Sequence, residues 1–199
     1  MADSTTTPPN NSTSTVTQDG SYTAVVGSSG SDTQHAPTGT GADVKFDPKA
    51  GNDVVIGSTG DDIIIGGPGS DYLFGGLGAD QFQFSKYANA GDHDYIVDFN
   101  LQLGDSLKIF NGATISNATY SHDSAQELNG HNLTNDANVY DVTLTLHVAD
   151  GAKSFDYQVT LLDVVKNTGW SADQFDAYLH SIGMSNDVHL THVPDAMTA

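Results

Sequence analysis

Residues 48–83 fall into four groups of nine: PKAGNDVVI (48–56), GSTGDDIII (57–65), GGPGSDYLF (66–74) and GGLGADQFQ (75–83). In this frame Asp53, Asp62, Asp71 and Asp80 share one position, and an apolar residue, Val55, Ile64, Leu73 or Phe82, follows two places later. Each unit has a glycine-rich half that turns the chain and a three-residue half that runs straight. Glycine accepts φ above zero and lets a neighbouring carbonyl come close. In the straight half, alternation sends Val55, Ile64, Leu73 and Phe82 to one side and their flanking residues to the other. A flexible Gly/Ser linker places no such β-branched and aromatic residues in a fixed phase.

The units match 3, 4, 5 and 5 of the five specified positions of the nonapeptide G-G-x-G-x-D-x-U-x, where U is a large apolar residue. On these residues the segment closely resembles the calcium-binding parallel β-roll of RTX proteins. The resemblance implies Ca2+ as the bound ion and two nonapeptides per coil. Asp53 then stacks on Asp71, and Asp62 on Asp80. One implied site joins Gly51 and Asp53 with Gly66, Gly67, Gly69 and Asp71. The other joins Gly57, Gly60 and Asp62 with Gly75, Gly76, Gly78 and Asp80. The chemistry agrees, because a hard cation takes six to eight oxygens, and a turn offering carbonyls and one carboxylate supplies about half of them.

The outward residues of the two implied sheets differ. Val54, Ile56, Tyr72 and Phe74 are all apolar, whereas the other sheet shows Ile63 and Ile65 and then Gln81 and Gln83. A contiguous apolar patch marks packing or an interface. The expectation is that the downstream β region covers this face, with self-association as the second choice.

The chain of 199 residues has 24 Asp, one Glu, six Lys and no Arg, for a net charge of −19. That excludes a nucleic-acid partner, which needs clustered basic residues, and suits a cation. Without calcium the paired carboxylates repel and are costly to bury, so the metal-free roll is expected to be largely unfolded. At a Kd of ~10⁻⁴ M and ~1 mM free calcium, each site contributes about 1.4 kcal/mol, and almost nothing at cytosolic calcium. There is no cysteine, hence no disulfide or zinc-thiolate chemistry. No run is apolar and long enough for a membrane span, and residues 1–40, with 17 Ser or Thr, lack the charged and apolar regions of a signal peptide.

Residues 1–40 read as a disordered lead, and 41–83 as the roll. GSSGSD (27–32) and GTGAD (39–43) echo the repeat out of phase and read as decayed turns or spacer, with a capping ligand from the second as a minority reading. Residues 84–167 read as an antiparallel β region. Within it, DYIVDF (94–99) and GDSLKI (104–109) resemble the segment that follows the repeats in type I secretion target domains and in the serralysin C-terminal domain. In that frame Asp94 or Asp98 caps the last loop at Asp80. Two alternating stretches, 139–148 and 154–163, flank an Asp150-Gly151 turn and form a hairpin. Residues 114–138 read as a strand and a long loop. In 168–199, Trp170, Phe175, Tyr178, Leu179 and Ile182 recur at helical spacing after an N-cap at Ser171, and Gly183 ends the helix.

The eight histidines form no H-E-x-x-H, and no G-x-S-x-G elbow or P-loop is present. The chain therefore reads as a mostly β, non-enzymatic protein: a parallel roll, an antiparallel region and one helix. Its resemblance implies a secreted bacterial calcium-binding module that folds outside the cell and supports export of an exoprotein by type I secretion machinery. The alternative is a stand-alone matrix or adhesion protein that binds a surface or glycan with calcium.

Overall fold

The computed structural model describes residues 15–19, 21–37, 41–85, 87–110, 112–122, 127–128, 131–132, 140–151, 153–162, 172–182, 184 and 190–192. The repeats form short parallel strands that alternate between two sheets. One sheet receives β2 (Tyr22–Val26), β4 (Val44–Asp47), β6 (Ile63–Ile65), β8 (Gln81–Ser85) and β10 (Ser106–Phe110). The other receives β3 (Thr33–His35), β5 (Val54–Ile56), β7 (Tyr72–Phe74) and β9 (His93–Ile96). All neighbours among these strands run parallel. The inward residues Val25, Val44, Phe46, Val55, Ile64, Leu73, Phe82, Ile96 and Leu107 are buried between the sheets. Each three-residue strand has too little ladder to stand alone. Stability comes from stacking the same apolar position coil over coil.

The parallel ladder thus runs well past 41–83 at both ends. Residues 22–26 and 33–35 are stranded, although the Ser/Thr content of 1–40 suggested a lead without structure. Thr and Val are good strand formers, and Val25 gives the first coil its buried residue. Below it, β1 (Thr15–Asp19) folds back antiparallel on β2. Residues 1–14 and 38–40 lie outside the described residues.

Downstream, β14 (Tyr140–Asp150) and β15 (Lys153–Leu161) form the expected hairpin, closed at Asp150 and Lys153 with Gly151 at φ 62°. The downstream region was expected to lie over the apolar face, and this hairpin does not. Instead β15 pairs parallel with β9, so the hairpin, β11 (Ala113–His122) and β16 (Leu190–His192) extend the second sheet at its edge to eight strands. An unpaired edge is a strong attractor for another strand. Where a long loop was expected, β12 (Glu127–Leu128) and β13 (His131–Asn132) form a small hairpin.

Helix α1 (Ala172–Ser181) buries Phe175 and Leu179. The chain Phe82, Phe99, Tyr178, Phe175 joins the last repeat to the helix, with ring centroids 6.1, 6.5 and 5.6 Å apart. The Leu107 N–H on edge strand β10 donates to the Tyr178 hydroxyl at 2.9 Å. Trp170, the Ser171 cap and Gly183 lie outside the described residues.

Candidate metal centre

The turns line two edges of the roll. In register, Asp71 stands opposite Asp53 below and Asp94 above, because Tyr72 pairs with Val54 and with Tyr95. The same reasoning places Asp32 under Asp53. The first edge is therefore Asp32, Asp53, Asp71, Asp94. On the second edge Asp80 lies between Asp62 and Asp105, and Val44 occupies the position under Asp62.

Each aspartate reaches down one coil. Oδ1 of Asp53, Asp71 and Asp94 accepts the N–H of Asp32, Asp53 and Asp71 at 2.7, 2.8 and 3.0 Å. Oδ1 of Asp62, Asp80 and Asp105 accepts from Val44, Asp62 and Asp80 at 2.7, 2.8 and 3.0 Å. The second oxygens differ. Asp62 Oδ2 accepts the Ser58 N–H at 2.6 Å, Asp71 Oδ2 that of Gly67 at 3.3 Å, and Asp105 Oδ2 that of Asn100 at 2.8 Å. Oδ2 of Asp53, Asp80 and Asp94 is buried and has no hydrogen-bond partner among the described residues.

A buried acceptor without a donor is expensive. Its cost shows in the acidities. Desolvation pushes Asp53 up to about 6, Asp80 to about 7 and Asp105 to about 6, with neighbouring carboxylates adding to the shift. Burial likewise raises Asp62, Asp71 and Asp98, and lifts Asp94 well above the usual range.

The glycines bring the turns together. At Gly69, φ is +132°, and the Cβ of any other residue would meet the Gly51 carbonyl of the turn below. Gly78 stands over the Gly60 carbonyl in the same way, Gly67 over that of Lys49 and Gly76 over that of Ser58. Gly57 lies against the Gly75 carbonyl. Gly66 is set differently, between the Phe84 ring and Asp94 Oδ2. Lys49, the residue at Gly67's position one coil earlier, holds φ at 78°.

Among the described residues no three His, Cys, Asp or Glu side chains converge as a metal cage. A cation at these edges must take backbone carbonyls besides carboxylate. That all-oxygen donor set, with an orphaned carboxylate oxygen on each edge, fits a hard ion such as calcium and not a thiophilic one.

Asp98 sits over the second edge, where its Oδ1 and Oδ2 accept the N–H groups of Gly75 and Gly76 at 2.8 and 2.9 Å. Asp94 belongs to the first edge, and Asp105 is the residue stacked on Asp80. Asp32, Asp94 and Asp105 were absent from the two implied sites. Their signal was the short phrase Asp-x-apolar at 94–96 and 105–107, aligned with Asp71-Tyr-Leu and Asp80-Gln-Phe. The echo at 27–32 carries Asp32 on a real turn, whereas Asp43 is one residue out of register and accepts the Asp61 N–H at 3.1 Å.

The face bearing Val54, Ile56, Tyr72 and Phe74 continues onto β9. Tyr72 stacks on Tyr95 at 5.1 Å and Tyr95 on His93 at 4.3 Å, and His93 Nε2 lies 2.8 Å from Thr160 Oγ1. Ile56 remains 37% exposed.

Comparison with known proteins bears on the edges. Residues 49–82 match the family model of the RTX calcium-binding nonapeptide repeat, in four copies. Such repeats bind calcium. No curated protein matches the chain. A similar solved structure is that of the AlgE6R2 subunit from the Azotobacter vinelandii mannuronan C5-epimerase, at 23% identity over 72% of this chain and 89% of that one, with a TM-score of 0.44.

Proposed function

We propose that this chain, an RTX-repeat protein with a calcium-binding β-roll, is a secreted module that stays unfolded at cytosolic calcium, folds outside the cell and supports type I export of an exoprotein. The observation that carries the reading is the set of buried Asp oxygens without donors, Asp53 and Asp80 within the matched repeats. Two positive charges per ion would balance the stacked carboxylates. The chain's own part is to present them. Register fixes Asp53 against Asp71 and Asp62 against Asp80, and the glycines admit the carbonyls of the adjoining turn. The net charge of −19 keeps the chain extended until cations arrive.

Far-UV circular dichroism during calcium titration tests this. The β signal should grow with calcium near millimolar and reverse in chelator; a metal-free spectrum already fully β ends the reading. For export, residues 84–199 fused to a carrier should leave the cell through a type I system, and a fusion retained inside counts against that part.

A second reading is calcium-dependent adhesion or self-association through Val54, Ile56, Tyr72 and Phe74. It is favoured by the partly aromatic character of this face and by the exposure of Ile56 on it. Charging it with Ile56→Asp should then abolish surface binding or dimer formation while calcium uptake persists.

A further inference from the structure

We propose that Asp94 and the turn Gly66–Asp71 beneath it form a third calcium site, built half from a repeat and half from a residue outside the repeats. The inference rests on the reading of the edges as calcium sites. Asp94 lies twelve places beyond the matched segment, yet the pairing of Tyr95 with Tyr72 and of Ile96 with Leu73 puts it in the repeat's aspartate position. Its side chain is 0% exposed. Oδ1 accepts the Asp71 N–H, and Oδ2 faces the Gly66 backbone with no donor. Nearby, Asp92 Oδ2 ties the turn in place by accepting the N–H groups of Gly69 and Asn89 at 2.8 and 2.6 Å.

The top of the other edge offers the contrast. Asp98 spends both oxygens on the amides of Gly75 and Gly76, and Asp105 spends its own on those of Asp80 and Asn100. These two carboxylates close the second edge with hydrogen bonds. Asp94 has the same stacking and lacks the second amide. Burial and the charges of Asp71 and Asp92 both weigh against a bare carboxylate there. A hard divalent cation relieves both problems, and this site adds a third ion to the two at the Asp53–Asp71 and Asp62–Asp80 pairs.

The full chain, freed of metal and titrated with calcium chloride in a calorimeter near neutral pH, is expected to bind three ions. Asp94→Asn should bind two and keep its native circular dichroism at saturating calcium, whereas Asp98→Asn should still bind three. A count of two in the unaltered chain, or of three in Asp94→Asn, overturns the third site and leaves the calcium reading standing. No binding by the unaltered chain overturns both. If Asp94→Asn fails to fold, the count for the unaltered chain, read by native mass spectrometry, decides alone.

Discussion

The four-repeat array and the coils that flank it are built on one register but close differently. Inside the array each coil is 18 residues, from Asp53 to Asp71 and from Asp62 to Asp80. Outside it the coil lengthens to 21 residues (Asp32 to Asp53), 23 (Asp71 to Asp94) and 25 (Asp80 to Asp105). The strand and the amide-to-carboxylate bond survive each change. Most coils keep the phrase Asp-x-apolar, with Gln34 and Val44 as the departures, and loop length is free. How charge is handled varies from coil to coil whatever its length. Residues 99–104 bring an amide to Asp105 and the array turns bring one to Asp62 and Asp71, whereas Asp53, Asp80 and Asp94 each keep an oxygen without a donor.

That distinction is open to attack, and the heaviest blow is chelation. Hydrogen exchange as calcium is withdrawn should lose protection at residues 53–82 before it does in the β14–β15 hairpin, since Asp53 and Asp80 are the buried carboxylates of the array without donors. Equal loss in both regions would make array and flank one unit. Next in size is Gly69→Ala, which combines a φ of +132° with a clash against the Gly51 carbonyl. Denaturation in calcium should show a loss of about 3 kcal/mol or more. Gly91→Ala in the flanking loop, with φ of +82° and nothing within 4 Å, should cost about 1 kcal/mol. Comparable losses would refute the close stacking of the array.

Acidity separates the regions further. Folded-state values of about 6 for Asp53 and about 7 for Asp80 lie above that of an unfolded aspartate, ~4. In chelator the contribution of these groups to stability is therefore full below about pH 4 and is lost as pH rises through 6 to 7. Calcium uptake has the opposite sign, since protons compete for the same oxygens. Affinity at the Asp80 edge should fall up to about tenfold per unit below pH 7. Calorimetry at several pH values reads this directly, and a flat profile would show the carboxylates to be ionised regardless of metal.

Asp53→Asn should then remove one ion and about 1.4 kcal/mol of stability in millimolar calcium. Asp105→Asn should leave the ion count unchanged. The smallest effect belongs to Tyr178→Phe, which strips the hydroxyl from the Leu107 amide and should lower stability by about 1 kcal/mol without altering calcium binding.

The aspartate spacing made the middle of the roll legible, because a fixed period repeats both turn and strand. The flanking coils were hidden by their unequal lengths and by substitutions at the defining position. Val44 stands where an aspartate was sought, and Asp43 beside it supplied a misleading match. The Ser/Thr content of residues 15–37 masked strands whose one deeply buried aliphatic, Val25, is too little to show a period. The apolar face illustrates a different limit. Its composition was plain from Val54, Ile56, Tyr72 and Phe74, but whether β15 would cover it or join its edge depends on long-range pairing that no local pattern records. The resemblance implied Asp94 or Asp98 as the capping carboxylate, and the two differ in that Asp98 accepts the amides of Gly75 and Gly76 with both oxygens while Asp94 keeps one oxygen without a donor. That is a fact of geometry.

A stack of identical rungs has no inherent length. Here its first sheet is stopped at one end by β1, which reverses direction on β2, and at the other by Tyr178, carried 71 residues beyond the amide it covers. The ten-residue helix thereby closes the outer edge of β10, the rung of the first sheet farthest from β1.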